Sequence, residues 1–139
     1  GSIPPATAAA ILNVPVDELV TGSSDLEVSP EDIQNNIYTS PPYSCTIREK
    51  SDFLLSISYV TYVYSDPVQA RIAFNEMRDG FASVSRVDDI TDVGDEAFLA
   101  GDKRFQRLVV KKGQAVVDIL NPKEYELQKS IALLVIENL

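Results

Sequence analysis

The run Phe105-Gln106-Arg107-Leu108-Val109-Val110-Lys111-Lys112-Gly113-Gln114-Ala115-Val116-Val117-Asp118-Ile119-Leu120 decides the fold. Two stretches rich in β-branched residues flank Lys112-Gly113, which reads as a two-residue hairpin loop. That loop sets Lys111 opposite Gln114, and each step outward keeps the pairing: Val110 with Ala115, Val109 with Val116, Leu108 with Val117, Arg107 with Asp118 and Gln106 with Ile119. A one-residue slip would put Arg107 against apolar Val117 or Ile119, so the alternation of side chains supports this parity. The mostly apolar face should pack inward, and the face of Arg107 and Asp118 should be at least partly solvated.

Upstream, Tyr43 to Arg48 passes through Glu49-Lys50-Ser51-Asp52 into a long extended run, Phe53 to Tyr64, a second hairpin. Phe53, Leu55, Ile57, Tyr59 and Val63 share one face of that run and make the better core face. The other carries Ser56 and Ser58 beside Leu54, Val60, Tyr62 and Tyr64. Asp66-Pro67 starts a helix, with Asp66 as cap and Pro67 in the first turn. Ala70, Ala73, Phe74, Met77 and Phe81 form its buried stripe, and Gly80 should end it. A short strand near Ser83 to Val87, an acidic link and a strand from Glu96 to Ala100 lead to the hairpin. Asn121-Pro122 then opens the last helix, with Glu124 completing a capping box. Its apolar residues, Leu127, Ile131 to Ile136 and Leu139, widen toward the C-terminus, so that end should be covered by the sheet and the N-terminal segment or by a second subunit, which leaves a homodimer open.

The N-terminal third is punctuated by Pro4, Pro5, Pro15, Pro30, Pro41 and Pro42, with short helical pieces at Ala6 to Leu12 and Glu31 to Ile37. Ser29-Pro30 reads as a cap followed by proline at the first helical position. The expectation is a single α+β domain, 1–139, with an antiparallel sheet of about five or six strands and two main helices packed on it. Residues 1–2 resemble a tag remnant, 3–42 an irregular covering segment, and 43–139 the sheet and main helices. At 139 residues and 45% apolar content, such a chain buries roughly 68–70% of the surface of its unfolded form.

Composition excludes much. With 21 acidic against 12 basic residues, the net charge of -9 repels nucleic acid. The absence of histidine removes Ser-His-Asp and Cys-His chemistry and imidazole metal ligation, leaving any catalysis to carboxylates, lysines or tyrosines. Cys45 stands alone, so no internal disulfide or thiolate cage forms, and its ordinary role is a small buried side chain. No cofactor is implied. The longest apolar stretch, Ile131 to Ile136, falls far short of the roughly 20 residues that span a bilayer, so the chain as given reads as soluble. A signal or lipid-anchor segment upstream of Ile3 is compatible with it.

Two clusters could carry chemistry. Asp88, Asp89, Asp92, Asp95 and Glu96 crowd into nine residues. Clustered carboxylates suit a hard cation such as calcium, and crowding would raise some of their pKa values, as a carboxylate hydrolase requires. The spacing is not that of an EF-hand. The plainer reading is a solvated loop in which Gly94 allows a tight turn and Asp95 or Glu96 bonds local backbone N–H groups. The tyrosines Tyr38, Tyr43, Tyr59, Tyr62 and Tyr64 could line a groove, with Tyr62 and Tyr64, on the less apolar strand face, the first candidates for ligand binding. Strands are also rich in tyrosine for packing alone. Lys111-Lys112 at a hairpin tip, with Lys103 and Arg104 nearby, reads as a solubilising pair.

The string Val93-Gly94-Asp95-Glu96-Ala97-Phe98, followed by Arg107-Leu108-Val109-Val110-Lys111-Lys112-Gly113, resembles bacterial cell-envelope lipoproteins and extracytoplasmic sensor domains, including those fused to mycobacterial serine/threonine kinases. The close resemblance spans Val93 to Ile119. It implies an α+β domain outside the cytoplasm, often lipid-anchored, that binds or senses a small ligand or protein. Kinase-linked members usually carry disulfides, from which the lone Cys45 departs. The function expected is a non-catalytic binding or sensing domain of an envelope protein, against two rivals: a cytoplasmic inhibitor or immunity-type protein drawn to a basic partner, and a carboxylate-dependent hydrolase.

Overall fold

The structure, a computed structural model, describes residues 3–52, 55–101 and 105–139. The hairpin that decides the fold is formed by β6 (Gln106–Lys112) and β7 (Ala115–Asn121). Its register differs from the sequence expectation by two residues: Lys112 pairs with Ala115, Lys111 with Val116, Val110 with Val117, Val109 with Asp118 and Leu108 with Ile119. The turn is therefore Gly113-Gln114. Gly113 takes φ 59°, and a II′ hairpin needs glycine at the first turn position, a place Gly113 reaches only when Lys112 joins the ladder. Two residues are one full side-chain period, so every residue stays on its expected face. Arg107 still meets Asp118, now diagonally, with Nε 3.2 Å from Oδ1.

Among the described residues the sheet has seven antiparallel strands, against the five or six expected, in the order β1-β2-β3-β7-β6-β5-β4. The added strand is β1 (Leu19–Asp25), in the segment read as irregular covering, and it pairs along β2 (Tyr38–Glu49). Its polar sequence, Thr21-Gly22-Ser23-Ser24, has little strand preference, and its neighbour's ladder supplies the order. The expected hairpin of β2 and β3 (Ser56–Tyr64) forms, with Ile47 opposite Ile57 and Cys45 opposite Tyr59. Phe53 and Leu54 lie outside the described residues, as do Gly1-Ser2, Lys103 and Arg104. The remaining strands are β4 (Arg86–Ile90) and β5 (Glu96–Gly101). Thus Asp88 and Asp89, expected in a link, belong to a strand. That strand begins three residues later than expected, because the preceding helix runs past Gly80.

Helices cover both sheet faces. On one face, α1 (Pro5–Leu12) and α4 (Tyr125–Glu137) bury Ile57, Tyr59, Leu108, Val110, Val117 and Ile119 against Ala8, Leu12, Ile131 and Val135. Cys45 is buried there too, as its lone occurrence suggested. On the other, α3 (Pro67–Ala82) lays Ala70 and Phe74 over Phe98, Val109 and Val116, with Ala73, Met77 and Phe81 at the margin. Asp66 caps α3, accepting from the Gln69 N–H at 2.8 Å. Ser29 caps the short α2 (Pro30–Gln34), which stops before the expected Ile37. Because α3 covers the face of Arg107 and Asp118, that face is only partly solvated: 29% of the Arg107 side chain is exposed, while Asp118 is 4% exposed. Lys111 on the same strand face is likewise buried, beside Asp95, and Lys112 is the exposed one of the pair.

The expected capping box of α4 does not form. Asn121 ends β7 opposite Ser58, and the helix begins only at Tyr125. Its apolar stripe is seated against the sheet and α1 as expected within one chain, while Leu133 and Leu139 remain exposed. Gln128, unremarkable in sequence, is fully buried and trades hydrogen bonds with Gln106, donating to its carbonyl at 2.7 Å and accepting from its side chain at 3.1 Å.

Candidate functional site

The five carboxylates of 88–96 do not converge. Asp88 pairs with Arg86, Asp89 with Arg78 at 2.8 Å, Asp92 with Lys129 at 2.8 Å and with the Tyr125 hydroxyl, Asp95 with Lys111 and Lys112, and Glu96 with Arg71. Among the described residues no group of three or more potential ligands is placed to hold a metal. The expected rise in pKa is reversed: Asp89, Asp92 and Asp95 sit below the usual carboxylate range, because hydrogen bonds from Arg78, from Lys129 and from the Gly113 N–H hold their charged forms. Asp89, Asp95 and Glu96 border a shallow hollow of about 530 Å³, already furnished with Arg78.

The Gly94-Asp95 turn is a clasp. Gly94 takes φ 65°, and a side chain there would meet Val110 Cγ1 at 2.5 Å and the Lys111 carbonyl at 2.7 Å. Asp95 donates its N–H to that carbonyl at 2.8 Å and accepts from the Gly113 N–H at 2.8 Å. The two halves of the Val93 to Gly113 string thus interlock, so that Asp95 bonds a distant backbone N–H rather than the local one expected.

The tyrosines divide by strand parity. Tyr59 and Tyr43 turn to the α1 side, Tyr59 fully buried in the core. Tyr62 and Tyr64 turn to the α3 side, and Tyr38 joins them because it lies opposite Tyr64 in the β2–β3 ladder. The Tyr38 and Tyr64 ring centroids lie 5.0 Å apart, and Tyr62 stacks on Tyr64 at 6.2 Å. With Asp32 and Ile37 from the N-terminal segment and the Ala73 to Met77 turn of α3, they line a groove of about 480 Å³. Backbone contacts fix its corner: the Ser65 N–H donates to the Ile37 carbonyl at 2.8 Å and its hydroxyl to the Asn36 carbonyl. Burial raises all three tyrosine pKa values, with Asp32 adding to the effect at Tyr38 and Asp118 at Tyr62. The phenols therefore stay neutral, presenting hydroxyls and π faces.

Behind Tyr62 lies the Arg107–Asp118 pair. The Arg107 guanidinium stacks 4.7 Å from the Phe81 ring centroid. Burial pushes the Asp118 carboxyl up, against the pull of Arg107. A second hollow of about 790 Å³ is bordered by Phe81, Val84, Phe105 and Arg107. Sequence singled out Tyr62 and Tyr64. It named Tyr38 only within the wider tyrosine set and passed over Asp32, Ile37 and Glu76, which come from distant segments.

The fold defines a class: an α+β domain whose seven-stranded antiparallel sheet is covered by helices on both faces. A solved structure similar in fold is the extracellular domain of PknH from Mycobacterium tuberculosis, at a TM-score of 0.59 with 12% sequence identity, over 98% of this chain and 91% of that one. At this identity the likeness establishes a shared fold. No protein-family profile matches the chain, and no curated protein matches it in sequence. Among the described residues no helix is long and apolar enough to cross a membrane.

Proposed function

We propose that the chain is a non-catalytic binding or sensing domain working outside the cytoplasm, tethered through a segment upstream of Ile3, and that it captures a small ligand in the Tyr38–Tyr62–Tyr64 groove. The observation that carries this reading is the groove itself. Three neutral tyrosines from two strands converge under a helix in a concavity of about 480 Å³, within the roughly 300–1,000 Å³ range of small-molecule sites. The absence of histidine favours binding over turnover, and the fold shared with a domain described as extracellular favours the location. A lipid or peptide tether upstream fits the short N-terminal helix α1, which packs on the face away from the groove.

The test is a small-molecule screen by amide chemical-shift mapping. The expected outcome is saturable shifts concentrated at Ile37, Tyr38, Tyr62, Tyr64 and Ala73, abolished by Tyr62→Ala together with Ala73→Trp, which fills the groove. Shifts confined to other surfaces would overturn the site. Fractionation of cells making the full-length protein checks location: recovery in the cytosolic fraction would overturn the envelope reading.

A further inference from the structure

We infer that the tyrosine groove selects organic cations, an ammonium group carried on a small aliphatic body, an inference that rests on the groove being the binding site. The charge of its lining is one-sided. Among the described residues Asp32 and Glu76 are the charged side chains that border it, one from α2 and one from α3, and no lysine or arginine does. Neither carboxylate has a cationic partner among the described residues. Other carboxylates, Asp17, Glu27 and Glu137 among them, likewise have no ion pair among the described residues; what sets Asp32 and Glu76 apart is that both border one aromatic groove. Arg107, whose charge acts on Tyr62 from behind the groove, is already committed to Asp118 and to the Phe81 ring.

The aromatic arrangement points the same way. Tyr62 and Tyr64 stack with an interplanar angle of 16°, and Tyr38 tilts by 33° against Tyr64. The rings pack on one another and Tyr64 is only 3% exposed, so the groove meets chiefly the half-buried Tyr38 and Tyr62, whose π systems attract a cation most strongly where water is scarce. Ile37, Ile72 and Met77 add apolar lining, suited to the methyl or methylene groups that surround an ammonium. A neutral sugar would leave two carboxylates partly desolvated without a counter-charge, and an anion would be repelled. The net charge of -9 raises the local concentration of cations around the whole domain.

The test compares choline, putrescine, 3,3-dimethyl-1-butanol (the neutral isostere of choline) and glucose by amide shift titration of the full chain at fixed ionic strength. Choline or putrescine should shift groove amides saturably, with affinity at least about three- to tenfold above the neutral isostere. Glu76→Gln and Asp32→Asn should each weaken the cation about threefold and leave the isostere unchanged. Tyr62→Phe should retain cation binding, and Tyr62→Leu should lose most of it. Equal affinity for choline and its isostere, or preference for glucose, would overturn the cation assignment while leaving the groove a binding site. If no probe moves the groove while another compound from the screen does, the cation assignment fails alone; if nothing binds there, both readings fail.

Discussion

Asp118 and Arg107 form a polar interaction inside a face that α3 has closed off. The side chain of Asp118 is 6% exposed and that of Arg107 29%. Removing one partner of a buried pair strands the other, at a cost of about 3–5 kcal/mol, whereas removing both is often nearly neutral. Arg107→Leu should therefore lower the urea midpoint sharply, and adding Asp118→Leu should recover most of the loss. The single variant also predicts a direction with pH. Without Arg107 the raised Asp118 pKa rises further, so the folded state holds its proton longer than the unfolded chain and Arg107→Leu loses stability as pH climbs above about 4. At Thr61 the sign differs: its buried hydroxyl has no hydrogen-bond partner among the described residues. Thr61→Val keeps the shape and removes the orphan, and should stabilise by about 1 kcal/mol in the same assay. Gly94→Ala combines a positive φ with contacts of 2.5 and 2.7 Å to Val110 and the Lys111 carbonyl. It should cost about 2–4 kcal/mol. The Gly94 turn was visible in sequence; its target was not, because Val110 and Lys111 reach it from the neighbouring strand β6, more than a dozen residues downstream.

Elements were legible where one residue type has one local use. Asp66-Pro67 announced α3, and the Asp66 carboxylate does accept from the Gln69 N–H. Asp66→Ala should lower stability by about 1 kcal/mol, read as a fall in thermal midpoint with Asp66→Ser largely restoring it. Elements were illegible where order comes from a neighbour. Strand β1 has six exposed residues of seven, so no burial pattern marks it, and it exists through its ladder to β2. The β6–β7 register shows the boundary between the two cases. Alternation of Val109, Asp118 and their neighbours determines parity, and so the face of every residue. It cannot distinguish registers two apart, since both preserve that alternation; the turn preference of Gly113 decides between them. The α4 cap failed for a related reason: Asn121 had two local uses, as cap and as strand end, and the ladder to Ser58 took it.

At the scale of the molecule, parity put Tyr62 and Tyr64 on one face, but a groove needs walls from elsewhere. Asp32, Ile37 and Tyr38 arrive from more than 20 residues upstream, which a reading of local pattern does not reach. Charge is the other property of the whole chain, and two effects compete in setting its pH dependence. Net repulsion would place maximum stability near the isoelectric point, about 4.4. Specific partners argue for a higher pH. Glu49, Asp89, Asp92 and Asp95 have pKa values lowered by their hydrogen bonds in the fold. A lowered carboxylate contributes stability that is complete above its unfolded value, about 3.9–4.3, and is lost as pH falls through the folded one. Asp118, raised by burial, opposes them with the reverse slope. Four groups against one predict a plateau of urea midpoint from about pH 5 to 7 and a decline below about pH 4. Asp89→Asn with Asp92→Asn should flatten that decline, since these variants remove charges held by Arg78 and Lys129. A midpoint that instead peaks near pH 4.4 and loses its pH dependence in high salt would show that diffuse repulsion, not these paired carboxylates, governs the acid limb.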